Sequence, residues 1–453
     1  MVLKTTLLMA LLGSASGGHA IELVSQNTVD QQKKVTSTQP LKNGIKVVYR
    51  QVDHTEIAGL NLTLPFGVRD LPPDEKGLIP LVMSMMSQGA KGYDKAKIHK
   101  ILQKYSTGVS CSYGIELSTC SMAVINEYWD QVLPLFAAVV NHPTFEKADI
   151  ELQKNAKIAE LESKIEQPSS YVNEVANRFF YPKGHPYKST YEGGIEQMKA
   201  AKRADLARIH KRAIASNKQF FTFVGSMPQS KVMKDLNRHF GQRKVRDVKT
   251  VTIKPPKFQK AKSVSFSHKD IPTAYMAMKF NGPGVRHPDF TDTKLMIRVL
   301  SEELGLEVRT RRSLSYAVHS YMLGNSIGIG MISVTTSKPK ETLEAVSQIL
   351  TKMKSERYTQ EALNRFKTVY TTNYFLTLES HLNLAGALAS TFFHHHSVDP
   401  FYDMPLVLNK ATAKNIQRLA KEYLNNFRMG IIFSKDRFKE EWAHKFVGSH
   451  LAL

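Results

Sequence analysis

Hydrophobic positions along this chain recur with two periods, and the order in which those periods alternate appears twice. Residues 57–68 form an apolar-rich run of strand length that closes on Phe66-Gly67-Val68-Arg69-Asp70. Residues 273–285 form a second run, closing on Pro283-Gly284-Val285-Arg286-His287. A polar gap and a helix-period stretch follow each. Next come β-rich pairs at 108–125 and 314–336, the second with alternating Ile-Gly-Ile-Gly-Met-Ile-Ser-Val at 327–334. Amphipathic helices are predicted at 129–140 and 341–353. Longer ones follow at 147–163 and 360–380, and both end in Leu-Glu-Ser. Such a repeat predicts two similar units. The β segments look hairpin-connected, so the class is α+β, each unit a mostly antiparallel sheet with helices packed on one face. The Lys-rich stretch 242–263, with Pro255-Pro256, reads as the linker between an N-terminal unit (21–241) and a C-terminal one (264–453).

Residues 1–20 read as a secretory signal peptide. Lys4 supplies the positive start, residues 7–12 the short apolar core and Gly18-His19-Ala20 the small-residue cleavage pattern. That apolar core is about half the ~20 residues a membrane-spanning helix needs. No later segment of the sequence reads as a transmembrane helix. Export and a periplasmic location are the expectation.

The 453 residues carry a formal net charge of +22. Such a balance points to an acidic partner, an acidic substrate or an anionic surface. No zinc-finger spacing or aromatic RNA-binding pattern accompanies it, and export also argues against nucleic acid. The two cysteines, Cys111 and Cys120, lie opposite each other if the chain turns near Ile115-Glu116. In an oxidising compartment that placement predicts a disulfide. No His lies near either in sequence, so neither reads as a nucleophile.

The sharpest motif is Glu75-Lys76-Gly77-Leu78-Ile79-Pro80-Leu81-Val82-Met83-Ser84-Met85-Met86. It resembles the signature helix of the pitrilysin-type (M16) zinc peptidases, where His-x-x-Glu-His follows a Lys-Gly-Leu lead-in. Two imidazoles one helical turn apart hold Zn²⁺, and the Glu activates its water. Here Pro80 stands at the first His, Met83 at the Glu and Ser84 at the second His, and none can take over. Glu160 falls where the family has its third ligand, and one carboxylate without imidazoles cannot hold catalytic zinc; an ion-paired helix residue is the expectation. Phe66-Gly67-Val68-Arg69-Asp70, Asn141-His142-Pro143-Thr144-Phe145 and Gly184-His185-Pro186-Tyr187 match further family elements in order. The run His394-His395-His396 reads as a solvated or helix-end cluster, because neighbouring helical residues point ~100° apart.

Arg309 and Tyr316 stand seven apart in Arg309-Thr310-Arg311-Arg312-Ser313-Leu314-Ser315-Tyr316. They resemble the family's Arg/Tyr element, an Arg near a helix end and a Tyr on the next strand. The resemblance implies that Arg309 binds a substrate carbonyl while Tyr316 stabilises the oxyanion opposite a zinc. Arg311 and Arg312 read as surface charge. A chain that lost the zinc half of such a site and kept the other half is expected to be the non-catalytic subunit of a heterodimeric metallopeptidase. It would bind no cofactor itself, the zinc sitting on an M16 partner, and would act on a peptide or unfolded polypeptide. The alternative is a structural or peptide-binding pseudopeptidase, a homodimer or scaffold subunit outside the chemistry.

Overall fold

Pro65 and Pro283 end two central strands, and around those breaks the chain builds a similar sheet twice. The computed structural model describes residues 24–53, 55–258 and 262–451, so the expected signal peptide lies outside the described residues. The first sheet holds β1 (Thr36–Pro40), β2 (Lys46–Gln51), β3 (Ile57–Leu64), β4 (Gly108–Tyr113), β5 (Ser118–Ile125) and β6 (Phe220–Gly225), in the order β1-β2-β6-β3-β5-β4. The second holds β7 (Val264–His268), β8 (Ala274–Gly282), β9 (Ala317–Gly324), β10 (Gly328–Thr336) and β11 (Arg428–Phe433), in the order β7-β11-β8-β10-β9. Without β1 the two orders superimpose element by element. One parallel pair, β2–β6 or β7–β11, stands in each otherwise antiparallel sheet.

Strand β3 stops at Leu64, short of the predicted 68. Proline has no N–H for the ladder, so Pro65 ends the pairing. The chain then turns in a short 3₁₀ segment, Val68–Asp70. Gly67 is required there: a Cβ would lie 2.4 Å from the Ile115 carbonyl oxygen. The second copy repeats the device, with a Gly284 Cβ placed 2.2 Å from the Ser326 carbonyl oxygen. The repeat legible in sequence is thus a repeat of close backbone approach.

Helices Trp129–Asn141 and Pro339–Ser355 cover the inner faces. Trp129, Val132, Leu133 and Phe136 recur at helical spacing and are at most 1% exposed. The other faces are covered by exchange. Helix Pro168–Phe180 leaves the first half and lays Val172, Val175 and Ala176 on Ala277, Met331 and Ile432 of the second sheet. Helix His381–His395 returns the gesture, with Leu384, Ala385 and Leu388 near Val224, and Ala389 and Phe392 against Val48 and Phe220. Both sheets are therefore buried on two faces. That is why Phe220–Gly225 and Arg428–Phe433 are buried throughout instead of alternating.

Between helix Gln229–Phe240 and β7 the described residues form no helix or strand, but they are tied down. His185 Nδ1 accepts the Tyr187 N–H, which leaves Nε2 as the donor to the Lys254 carbonyl at 3.1 Å. Asn281 Nδ2 donates to the Pro256 carbonyl. Cys111 and Cys120 face each other directly across β4 and β5 and are joined by a disulfide.

Candidate functional site

Lys76–Leu78 forms a 3₁₀ turn that leads into the helix Ile79–Met85. Pro80 sits in its first turn, where a missing N–H costs nothing. Met83 is 1% exposed and belongs to the first core. Pro80 and Ser84 lie one turn apart on the half-exposed side. The Ser84 hydroxyl turns back to donate to the Leu81 carbonyl at 3.0 Å. This helix packs on Lys147–Glu166, which carries Glu160.

Glu160 is already occupied. Its carboxylate accepts from Lys157 Nζ at 2.8 Å and Lys164 Nζ at 2.6 Å. Those two bonds hold its pKa below the usual carboxylate range, against a smaller opposing effect of burial. Two ammonium groups therefore flank its carboxylate. Among the described residues no cluster of three or more His, Cys, Asp or Glu side chains could hold a metal ion.

The lead-in survives for structural reasons. Lys76 is 6% exposed and donates to the carbonyls of His185, Pro186 and Lys188 at 3.4, 2.6 and 3.0 Å. Three acceptors compensate its removal from water, though burial still lowers its pKa. A Cβ on Gly77 would come within 2.5 Å of the Gly194 Cα. Lys-Gly-Leu and Gly-His-Pro-Tyr are therefore two halves of one clasp, and the fold needs them with or without zinc.

The second half presents the other candidates quite differently. After helix Phe290–Leu304 the backbone loosens into a π-helical turn, Gly305–Arg311, and Ser313 adopts φ 51°, a left-handed conformation that costs a non-glycine residue energy. Within that turn Glu307 pairs with Arg311 at 3.1 Å and Arg312 at 2.7 Å. Both arginines read as surface charge thus share one carboxylate. Arg309 is exposed, and among the described residues no carboxylate pairs with it. Tyr316 was expected on a strand; it lies one residue ahead of β9, with 92% of its surface exposed. The polar bend holds it out: Ser315 Oγ donates to the Thr335 carbonyl at 2.6 Å and accepts the Ala317 N–H at 3.1 Å.

A model described as insulinase (peptidase family M16) matches residues 46–190, and one described as the peptidase M16 inactive domain matches 200–370. The chain belongs to peptidase family M16. A zinc protease of Helicobacter pylori, PqqE, is 21% identical over 426 residues, covering 91% of this chain and 94% of that protein. The structure is similar to a peptidase M16 inactive domain from Pseudomonas fluorescens, with a TM-score of 0.79, 20% identity and coverage of 89% and 99%. It is also similar to the periplasmic protease PqqL of Escherichia coli, with a TM-score of 0.77 and 16% identity; the match covers 89% of this chain and 46% of that one. The two structural likenesses establish the shared fold.

Within this M16 fold the two candidate sets sit on different halves. Pro80, Ser84 and Glu160 share two packed helices of the first half, whereas Arg309 and Tyr316 flank the edge strand β9 of the second. The histidine run splits. His396 caps the helix in a left-handed conformation, φ 58°, and is exposed, whereas His394 is 4% exposed and faces Glu116 at 3.8 Å. Burial drives His394 down to about 4, so it is neutral near pH 7. Sequence reasoning missed Lys157 and Lys164, although their spacing of three and four from Glu160 on a helix was available to it.

Proposed function

We propose that this chain is the zinc-less subunit of a periplasmic, heterodimeric M16 metallopeptidase, with Arg309 and Tyr316 completing an active site whose zinc belongs to a homologous partner. Residues 1–20 would direct export, and 21–241 and 264–453 would be the two family units joined by 242–263. One observation carries the reading: Tyr316 is held almost wholly in solvent, seven residues after an exposed Arg309 that among the described residues has no carboxylate partner. An aromatic ring in water is unfavourable unless a partner or substrate covers it. The occupied Glu160 supports the same division of labour, because this half has turned from a metal site into a lysine-neutralised surface. The relative PqqE is described as a zinc protease and PqqL as a periplasmic protease, which fits the chemistry and the compartment. Among the described residues no helix is long and apolar enough to cross a membrane.

The bound peptide would lie against Tyr316 and Arg309 on one side and the partner's zinc on the other. The zinc, on the partner, would supply a polarised carbonyl and an activated water. Arg309 would hold a substrate carbonyl, and Tyr316 Oη would donate to the oxyanion as it develops. The test is co-expression with a zinc-bearing M16 homologue. The mixture should cleave peptides, and each chain alone should do so poorly. Full activity of the partner alone would leave this chain a scaffold or peptide-binding pseudopeptidase.

A further inference from the structure

The repeat places Arg69 and Arg286 at equivalent positions, each two residues after the glycine that meets a hairpin carbonyl. Both line one cavity of about 850 Å³ between the halves. Their surroundings have diverged. Arg69 is internally neutralised, with Glu116 at 2.7 Å and Asp70 at 3.6 Å. In the second copy the hairpin position of Glu116 is taken by buried Ile327 and the position of Asp70 by His287. Arg286 has lost both acids. Its Nε donates to the His394 carbonyl, and among the described residues no carboxylate pairs with it.

The lysines that line the cavity have the same sign. Lys46, over the Phe392 ring at 5.6 Å, and Lys218 line it with His287 and His396. Lys218 is partly offset by exposed Asp247 at 3.1 Å. Among the described residues no aspartate or glutamate lines the cavity. Uncompensated charges converging on a concave site mark an anion site, because fixed cations need no reorganisation to receive the ligand.

We propose that this cavity binds a small, multiply charged oxyanion, which supplies to Arg286 the negative charge that Glu116 and Asp70 supply to Arg69. The charges of Lys46 and Lys218 set a ligand with two or more negative groups, either phosphate-class or polycarboxylate. This site is independent of the Arg309/Tyr316 reading.

Titration calorimetry on the mature chain at about 150 mM salt, with inorganic pyrophosphate in one arm and citrate in the other, tests it. One saturable site per chain is expected for at least one arm, and the responding arm identifies the class. Arg286→Ala should weaken binding about tenfold or more, since a charge-assisted bond is worth at least that. His287→Asp, an exposed change that restores the acid of the first copy, should weaken it comparably and guards against misfolding by the first variant. Arg311→Ala, which removes the same charge elsewhere, should leave affinity unchanged. No saturable binding in either arm would overturn the proposal. So would equal weakening by Arg286→Ala and Arg311→Ala, which would mean general attraction to a surface of net charge +22.

Discussion

The Glu116 carboxylate crosses between the two halves to accept the backbone N–H of Ser326 at 3.1 Å, joining the hairpin turn of one sheet to that of the other. The same carboxylate takes Arg69 Nη1 at 2.7 Å and the Tyr187 hydroxyl, and it is 2% exposed. A buried charge is tolerated only when its bonds are made, and here three donors converge on it. Removing the carboxylate leaves Arg69 buried without its main partner. Glu116→Ala should cost on the order of 3–5 kcal/mol, read from the midpoint of denaturant unfolding. A loss below about 1 kcal/mol would show that the halves are held by apolar packing alone.

Stability should fall as pH drops from about 7 to 4. His210, His394 and His450 are each pushed to about 4, burial being the largest cause. Their folded pKa values lie below the unfolded value near 6.5, so between those limits the unfolded chain binds more protons and stability rises with pH. Each contributes up to roughly 1.4 kcal/mol per pH unit in that window. Glu174, raised by burial to about 7, opposes them, because the folded state there holds the extra proton. His185, His239, His395 and His396 are lowered by burial as well, so the histidines outnumber Glu174 and the burial-raised Asp70 and Asp292, and the net slope stays positive. His210→Gln, which keeps a donor toward the Val140 carbonyl, should flatten the curve measured by unfolding at stepped pH. A slope unchanged in that variant would rule the histidine out.

Restoring the zinc motif should not by itself restore zinc. Pro80→His, Met83→Glu and Ser84→His would rebuild His-x-x-Glu-His on the helix packed against the one that carries Glu160, yet Lys157 and Lys164 still occupy that carboxylate. Adding Lys157→Ala and Lys164→Ala should tighten zinc on the order of tenfold or more in chelator competition, because two cations near a dication repel it. Equal affinity with and without the lysines would mean that the missing imidazoles were the whole defect.

Reducing the Cys111–Cys120 bridge should cost about 2–3 kcal/mol, as expected for closing so short a loop. Alkylation of the unreduced, denatured protein should find no free thiol. Two reactive thiols in protein recovered from an oxidising compartment would contradict it.

Sequence carried the architecture where local chemistry dictates it. Pro65 and Gly67, and Pro283 and Gly284, punctuate both strands, and the predicted helix at 147–163 is found at Lys147–Glu166. The exchange of Pro168–Phe180 and His381–His395 was not legible, since an amphipathic stripe does not name the sheet it will cover. Nor was the role of Glu116, which reads as a turn residue until Ser326 arrives from 210 positions away. His394 failed for the same reason: three consecutive histidines look solvated until the neighbouring half buries one of them. Lys76 could be matched to its motif, but its three carbonyl acceptors lie more than 100 residues on.

Tyr316 decides between the composite enzyme and the scaffold. At 92% exposure it contributes almost nothing to the core, so Tyr316→Phe removes one hydroxyl without a stability cost. If that hydroxyl donates to the developing oxyanion, its loss should lower kcat of the reconstituted pair about 10²- to 10³-fold. KM should move little, because the bond strengthens in the transition state more than in the bound substrate. Arg309→Ala should raise KM as well, since a carbonyl clamp also holds the ground state. Arg311 is tied to Glu307, so Arg311→Ala should leave both constants near wild type and controls for charge in the π-helical turn. Zinc content and heterodimer formation, checked by metal analysis and gel filtration, should be unchanged in all three. The scaffold reading requires the opposite pattern, normal turnover with any defect confined to assembly. A Tyr316→Phe pair with kcat within about threefold of wild type, where roughly 3 kcal/mol was expected, would take this chain out of the chemistry.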